Sequence, residues 1–146
     1  MFLSDTDILK AVENGLITIK DFDRARLQPA SYDVLLGNKF IITDSHSTTA
    51  IDPVKKIYAQ TKEITIKDGE SFVLHPQMSV LGTLKDYVGS NEYLIQLSGK
   101  SSLARIGLVI HNTAGIVNPG HFLYMTLELA NFNTVPIILR PGMPIA

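Results

Sequence analysis

The sequence contains no cysteine among its 146 residues. Without cysteine the chain cannot form a disulfide, use a thiol as a nucleophile or bind a metal through thiolates. This composition is compatible with a cytoplasmic protein. The zinc-dependent nucleobase deaminases need a P-C-x-x-C element, so this class of enzyme is excluded.

The sequence also lacks an excess of charge of either sign and any long apolar run. The formal net charge is −1, and the Lys and Arg residues are scattered, so we expect no binding to a nucleic-acid polymer. No apolar run approaches the roughly 20 residues of a membrane helix, and the N-terminus has no basic region of a signal peptide. We therefore expect no membrane partner and a cytoplasmic protein, in the host cytoplasm for a virus or phage product.

What the chain does contain favours one domain over residues 1–146 with a buried core. Hydrophobic residues make up 45% and charged residues 18%, which argues against disorder. Ser4 and Asp7 form an S-x-x-D box before an apolar segment, and Gly15 follows it. This pattern predicts one short helix near residues 5–14.

The rest of the chain reads as short strands separated by glycine and proline. Such spacing predicts a mainly all-β fold, an antiparallel barrel or sandwich. The polar segment 44–62 is predicted to be a loop, and Asp68-Gly69 is a hairpin-type turn signal. The predicted strands are 16–20, 32–36, 39–43, 63–67, 71–75, 79–84, 93–97, 107–111, 125–130 and 136–139.

A first candidate for chemistry is the segment from Gly99 to Arg105. It holds Lys100, Ser101 and Ser102 together with the glycine and the arginine. Hydroxyls, backbone N–H groups and cations of this kind can bind phosphate oxygens. The alternative is a polar turn that caps a short helix through one of the serines, and residue types alone favour the cap.

Two further segments leave alternatives open. Residues 111–120 begin with His111 and end in Asn118-Pro119-Gly120; their backbone either hydrogen-bonds the edge of a flat ligand or forms a tight turn with nothing bound. His111 by itself is more typical of a structural residue. Glu128 lies inside an apolar strand, where it either faces solvent by alternation or faces a pocket and suits proton transfer.

Read together, these segments resemble the dCTP deaminase and dUTPase-like superfamily. The matching pieces occur in order over nearly the whole chain, most strongly after residue 70. They are LSD from Leu3 with Asp7-Ile8, QPASYD from Gln28 with Leu36-Gly37, FVLHP from Phe72, LGT from Leu81, GKSSLARIGL from Gly99, HNTAG from His111, TLELAN from Thr126 and LRPGMPIA from Leu139.

The resemblance implies a distorted β-barrel or jelly-roll of the dUTPase-like type with one short N-terminal helix. It also implies a homotrimer whose active sites lie between subunits. The expected ligand is a deoxypyrimidine nucleoside triphosphate (dCTP, dUTP or dTTP). Mg²⁺ would be bound through the substrate triphosphate, with no zinc and no metal cage built by the protein.

The same resemblance assigns roles to individual residues. Glu128 matches the catalytic carboxylate, which takes a proton from water so that hydroxide attacks C4 of cytosine and then passes protons to N3 and the departing amine. The substrate-binding residues implied are Lys100, Ser101, Ser102 and Arg105 for the phosphates, His111, Thr113, Ala114 and Gly115 for the pyrimidine, and Asn118 for the deoxyribose.

The chain departs from the family pattern at several positions. Asn118 stands ten residues before Glu128, where relatives usually carry Asp to activate the water that attacks the α-phosphorus; Asn cannot act as that base near pH 7. The glycine at position 115, in contrast, is typical of the dUTPases and the bifunctional members of the superfamily. His121 to Leu123 replace an aromatic residue and a glycine, which puts the sugar pocket in doubt. Relatives continue beyond Ala146 with a tail that closes over the triphosphate, so an incomplete chain or a member without this lid is expected.

The sequence therefore predicts a dCTP deaminase, a hydrolase acting on a cyclic amidine C–N bond that forms dUTP and ammonia. Asn118 favours dUTP as the product, because its amide cannot act as the base for hydrolysis of the triphosphate. One alternative is a dUTPase or a bifunctional, dUMP-forming deaminase that releases pyrophosphate. A second is a non-catalytic deoxynucleotide-binding or regulatory protein. A structural β-module is disfavoured because the GKSSLAR, HNTAG and TLELAN segments occur together.

Overall fold

The computed structural model of the protein describes residues 2–146. Most of its regular structure is β, and the helices are short. The elements are α1 (Asp5–Glu13), β1 (Ile17–Ile19), a 3₁₀ turn (Arg24–Arg26), β2 (Leu27–Gln28), β3 (Ser31–Tyr32), β4 (Leu36–Thr43), β5 (Thr61–Thr65), β6 (Phe72–Leu74), β7 (Ser79–Ser90), β8 (Ile95–Gln96), α2 (Ser101–Ala104), β9 (Leu108–Val109), β10 (Ile116–Val117), β11 (His121–Asn131) and β12 (Ile137–Leu139). The prediction of a mainly β fold with one short N-terminal helix is confirmed.

Helix α1 begins and ends where the local sequence signals place it. The Ser4 hydroxyl accepts a hydrogen bond from the Asp7 backbone N–H at 3.2 Å, which satisfies one of the free donors of the first turn. Gly15 follows the helix with a φ of +71°, a conformation that glycine adopts without a Cβ penalty. The predicted helix is therefore confirmed.

The central sheet has six strands, in the order β5-β4-β7-β11-β9, with β1 also paired to β7. Every ladder is antiparallel, and the remaining strands form three two-stranded pairs: β8 with β10, β6 with β12, and β2 with β3. None of the helices among residues 2–146 has the length and apolar character to cross a membrane.

Several predicted strand limits were wrong. Strand β7 continues to Ser90, and β11 already starts at His121. The Asp68-Gly69 turn does not close a hairpin, because β5 pairs with β4 while β6 pairs with the distant β12. Residues 33–35 are not part of a strand; their backbone instead bonds to Arg26, Ala146 and the Asp86 carboxylate. In each of these cases the pairing partner lies far away in the sequence, so the local pattern did not determine the limits or the pairing of the strand.

The core is formed by the inner faces of the long strands. Leu127 and Leu129 of β11 are fully buried beside Phe40 of β4, and the ring of Phe40 stacks on Phe72 at 4.4 Å between centroids. Alternation along β11 places Glu128 on the opposite face from these leucines. The strand therefore holds Glu128 in a fixed orientation.

A buried ion pair fixes the turn that leads into β4. Asp86 is 4% exposed and Arg26 is 15% exposed, with 2.9 Å between Nη2 and Oδ1. The same carboxylate accepts the Leu35 backbone N–H at 2.7 Å, and Arg26 donates to the Asp33 carbonyl at 3.2 Å. Burial acts to lower the pKa of Arg26, but the hydrogen bond and charge of Asp86 outweigh it and raise that pKa. The pair thus anchors residues 33–35.

We expect Asp86→Ala to lower the free energy of unfolding by about 3 kcal/mol, because it leaves a partly buried guanidinium and the Leu35 N–H without their acceptor. Urea unfolding followed by circular dichroism measures this. Glu63→Ala is the control: it breaks the Lys39–Glu63 pair, in which both side chains are 57% exposed, and should cost less than about 0.5 kcal/mol. Equal losses in the two variants would show that Asp86 does not anchor the turn.

Candidate active site

A cavity of about 950 Å³ lies between the N-terminal part of the chain and residues 92–102. Its wall brings together two of the segments singled out in the sequence, QPASYD and GKSS. Gln28, Ser31 and Asp33 come from the first, and Lys100, Ser101 and Ser102 come from the second. The cavity wall is otherwise mainly apolar, but it gathers hydroxyl, amide, ammonium and carboxylate groups from distant parts of the chain. Lys100, Ser101 and Ser102 are donors of the kind that bind phosphate oxygens.

Lys100 forms an ion pair with Asp33 in this wall. The distance from Nζ to Oδ2 is 2.7 Å, and the side chains are 30% and 19% exposed. Gln28 donates to the same carboxylate oxygen at 3.3 Å. In the sequence, Asp33 was part of the QPASYD motif and had no predicted role. The signal that could have identified it is that Asp33 is the one acidic residue of this motif.

The turn after Lys100 shows which residue occupies the N-cap position of α2. Lys100 occupies the N-cap position of α2 without a side-chain cap bond, and Ser101 and Ser102 lie inside the helix. The reading of either serine as the cap was therefore wrong, and both hydroxyls remain on the exposed side of the turn. Arg105 is exposed after α2 and is not among the residues of the cavity wall.

Glu128 is bound to the HNTAG segment. Its Oε2 accepts backbone hydrogen bonds from Asn112 at 2.7 Å and from Thr113 at 3.3 Å. Its own backbone N–H donates to the Ile110 carbonyl at 3.0 Å. Among residues 2–146, no hydrogen bond engages Oε1. The half-buried carboxylate is therefore held from one side by the loop, with its other oxygen available to a ligand or water.

His111 and Gly115 pack against each other at the ends of this loop. A Cβ added to Gly115 would lie 2.9 Å from Cε1 of the His111 ring, closer than carbon atoms approach without a shift. Nδ1 of His111 is buried and has no hydrogen-bond partner among the described residues. The glycine thus leaves room for the imidazole, and the loop presents an unsatisfied polar atom.

The turn at Asn118 is closed by His121, the second histidine of this part of the chain. The Asn118 carbonyl accepts the His121 backbone N–H at 3.2 Å, and Nδ1 of the His121 ring lies 3.3 Å from the same oxygen. Both residues are exposed. When Nδ1 carries the proton it donates to this carbonyl, and Nε2 is then free to accept a proton.

The candidate residues form two groups within one chain. Lys100, Ser101 and Ser102 line the cavity, whereas Glu128 and the described residues 111–118 do not. The groups are joined through β8 and β10, and the Leu97 N–H donates to the Gly115 carbonyl at 2.7 Å. No cluster of three or more His, Cys, Asp or Glu side chains able to hold a metal ion occurs among residues 2–146.

Comparison with known proteins gives consistent results. A family model described as dCTP deaminase-like matches residues 2–146. Proteins named "dCTP deaminase, dUMP-forming" from Tropheryma whipplei (strain Twist) and Salinispora tropica are 44% and 41% identical to this chain over 146 residues. Each match covers 99% of this chain, together with 74% of the first relative and 76% of the second.

A solved structure supports the fold. The crystal structure of 2'-deoxycytidine 5'-triphosphate deaminase from Agrobacterium tumefaciens is similar, with a TM-score of 0.70 at 20% identity. The match covers 99% of this chain but 44% of that chain, so this chain spans less than half of its length. At this identity the likeness concerns the fold alone, and it agrees with the dUTPase-like architecture expected from the sequence.

Proposed function

Because the chain belongs to the dCTP deaminase-like family, we propose that it deaminates dCTP and hydrolyses the triphosphate, releasing ammonia, pyrophosphate and dUMP. The observation that carries the deaminase assignment is the Glu128 carboxylate, held by two loop N–H groups with Oε1 available. The relatives named dUMP-forming favour dUMP over dUTP as the product. The expectation of dUTP rested on Asn118, and the relatives outweigh it.

For deamination, Glu128 is the proton carrier. Oε1 takes a proton from water and passes it to N3 as the hydroxide oxygen adds to C4 of cytosine. Glu128 then takes the proton of the new C4 hydroxyl and delivers it to the amine, so that the C4–N bond breaks, ammonia leaves and the C4 carbonyl forms. One water is consumed, and the C4 oxygen of uracil comes from it.

The HNTAG loop is proposed to recognise the pyrimidine base. The N–H groups of Asn112 and Thr113 hold Oε2 of Glu128, so the carboxylate and the loop have one fixed relative position. We propose that the backbone of Thr113, Ala114 and Gly115 binds the edge of the base beside that carboxylate. The His111 ring packs on Gly115 and stiffens the loop.

The cavity is the proposed phosphate site. Lys100, Ser101 and Ser102 supply the donors, and Mg²⁺ entering with the triphosphate would neutralise part of its charge. We propose that one subunit supplies the phosphate site and a neighbour supplies the base site, as the resemblance to the superfamily implies; Glu128 is not among the residues of the cavity wall. Arg105 would complete the site from the subunit surface. The proposed assembly is a homotrimer with inter-subunit sites, as the resemblance to the superfamily implies.

The hydrolytic step needs a base other than Asn118, whose amide cannot take a proton. We propose His121, which lies beside Asn118 with Nδ1 directed at its carbonyl. Nε2 takes a proton from water, the water oxygen attacks the α-phosphorus, and the bond to the β-phosphate oxygen breaks so that pyrophosphate leaves. The Asn118 amide positions the water or the deoxyribose 3′-hydroxyl.

The purified protein, incubated with Mg²⁺ and dCTP, should release ammonia and pyrophosphate in a ratio near one, without accumulation of free dUTP. Both products are measured in one sample by coupled assays. Ammonia without pyrophosphate would restrict the activity to deamination. Nucleotide binding without either product would contradict catalysis and support the non-catalytic binding protein.

A further inference from the structure

We propose that Asp33 is a built-in counter-ion that competes with phosphate for Lys100 and thereby limits how tightly the cavity holds phosphate groups. The proposal rests on the phosphate-binding role of the cavity and names a residue that tunes it. Asp33 does not contact the reacting atoms in this account. It acts through the ammonium group of Lys100.

The geometry makes Asp33 a fixed partner of Lys100. Gln28 holds the carboxylate oxygen that Lys100 contacts at 2.7 Å. The backbone of Asp33 is bound at both polar groups by Arg26, whose carbonyl accepts the Asp33 N–H at 2.9 Å and whose side chain donates to the Asp33 carbonyl. Arg26 is in turn paired with buried Asp86. Asp33 therefore cannot follow Lys100 when the ammonium turns towards a ligand.

The charges decide the sign of the effect. A phosphate that approaches Lys100 either takes the ammonium from Asp33 or shares it, since the ammonium has three donors. In the first case an ion pair is lost, and in the second two anions face each other across the ammonium. Both arrangements cost more free energy in this partly buried wall than they would in open water. Removing the carboxylate charge should then tighten phosphate binding.

The opposite sign is the physical alternative. If the main role of Asp33 were to orient Lys100 towards the ligand, loss of the carboxylate would leave a mobile lysine, and phosphate binding would weaken through the entropy of ordering it. The two roles therefore predict opposite changes in the same dissociation constant. A structural role alone would alter thermal stability without depending on Lys100.

The test uses inorganic triphosphate with Mg²⁺ as the probe and isothermal titration calorimetry on the full chain. We expect Asp33→Asn to tighten binding by about fivefold at low salt. In a Lys100→Met background the same substitution should change binding by less than about 1.5-fold, because the competing cation is gone. Asn keeps an acceptor for Gln28, and Asp33→Ser serves as a second variant if Asp33→Asn does not fold.

Glu92→Gln is the matched control. Glu92 lies in the same cavity wall and is not paired with Lys100, so its substitution tests the general negative charge. The proposal is overturned by weaker or unchanged binding in Asp33→Asn, by equal tightening in Glu92→Gln, by persistence of the effect in Lys100→Met, or by a wild-type chain that does not bind the probe. Ammonia release from dCTP, measured on the same samples, tests the proposed enzyme activity separately. If Asp33→Asn tightens triphosphate binding only when Lys100 is present, the inference about Asp33 stands even without ammonia release. If ammonia is released but Asp33→Asn does not tighten binding in this way, the inference fails.

Discussion

Glu128→Gln is expected to reduce ammonia release from dCTP by about a thousandfold, the scale of losing a general base from a preorganised site. The amide oxygen of glutamine can still accept the hydrogen bonds from Asn112 and Thr113 that the carboxylate accepts now. The loop should therefore keep its place, and the dissociation constant for dCTP should change by only a few-fold. Single-turnover assays and equilibrium binding measure the two effects separately.

Glu63→Gln is the matched control, because Glu63 lies in an exposed pair on β5, and it should leave ammonia release unchanged. A Glu128→Gln protein that retains a tenth or more of the activity would show that another group takes the proton. A protein that instead loses dCTP binding altogether would show that Glu128 acts by binding the base. Either result would require a different role for Glu128.

Local signals in the sequence predicted local structure well. The Ser4 cap and Gly15 specify α1 because their partners lie within a few residues. The β-rich class followed from the spacing of short apolar segments. What could not be predicted was pairing at a distance: β6 joins β12 rather than the neighbouring β5, since register depends on which faces the whole chain buries.

The same limit applies to the site. Glu128 and the HNTAG loop could each be selected, yet whether Glu128 meets solvent or the loop depends on how β11 lies beside residues 110–113. The Asp33–Lys100 pair joins segments that share no local pattern. The resemblance predicted roles for individual residues. Only the structure showed that these residues fall into a group in the cavity wall and a group around Glu128.

Asn118→Asp is expected to raise the rate of pyrophosphate release by at least about tenfold, because it places a carboxylate base where the chain now has an amide. dUTP is the best substrate for this assay, since it bypasses deamination. Ammonia release from dCTP should change by less than about twofold, because the Glu128 carboxylate is bound by the backbone of Asn112 and Thr113 and not by the Asn118 side chain.

His121→Gln completes the argument about the hydrolytic base. In the otherwise unchanged chain it should lower pyrophosphate release from dUTP by about a hundredfold, and in Asn118→Asp it should have little effect, because the new carboxylate takes over the proton. His46→Gln is the control, since His46 lies in the exposed 44–60 loop away from the Asn118 turn. Equal losses from His121→Gln in both backgrounds would mean that the imidazole shapes the turn through the Asn118 carbonyl and that the proton goes elsewhere.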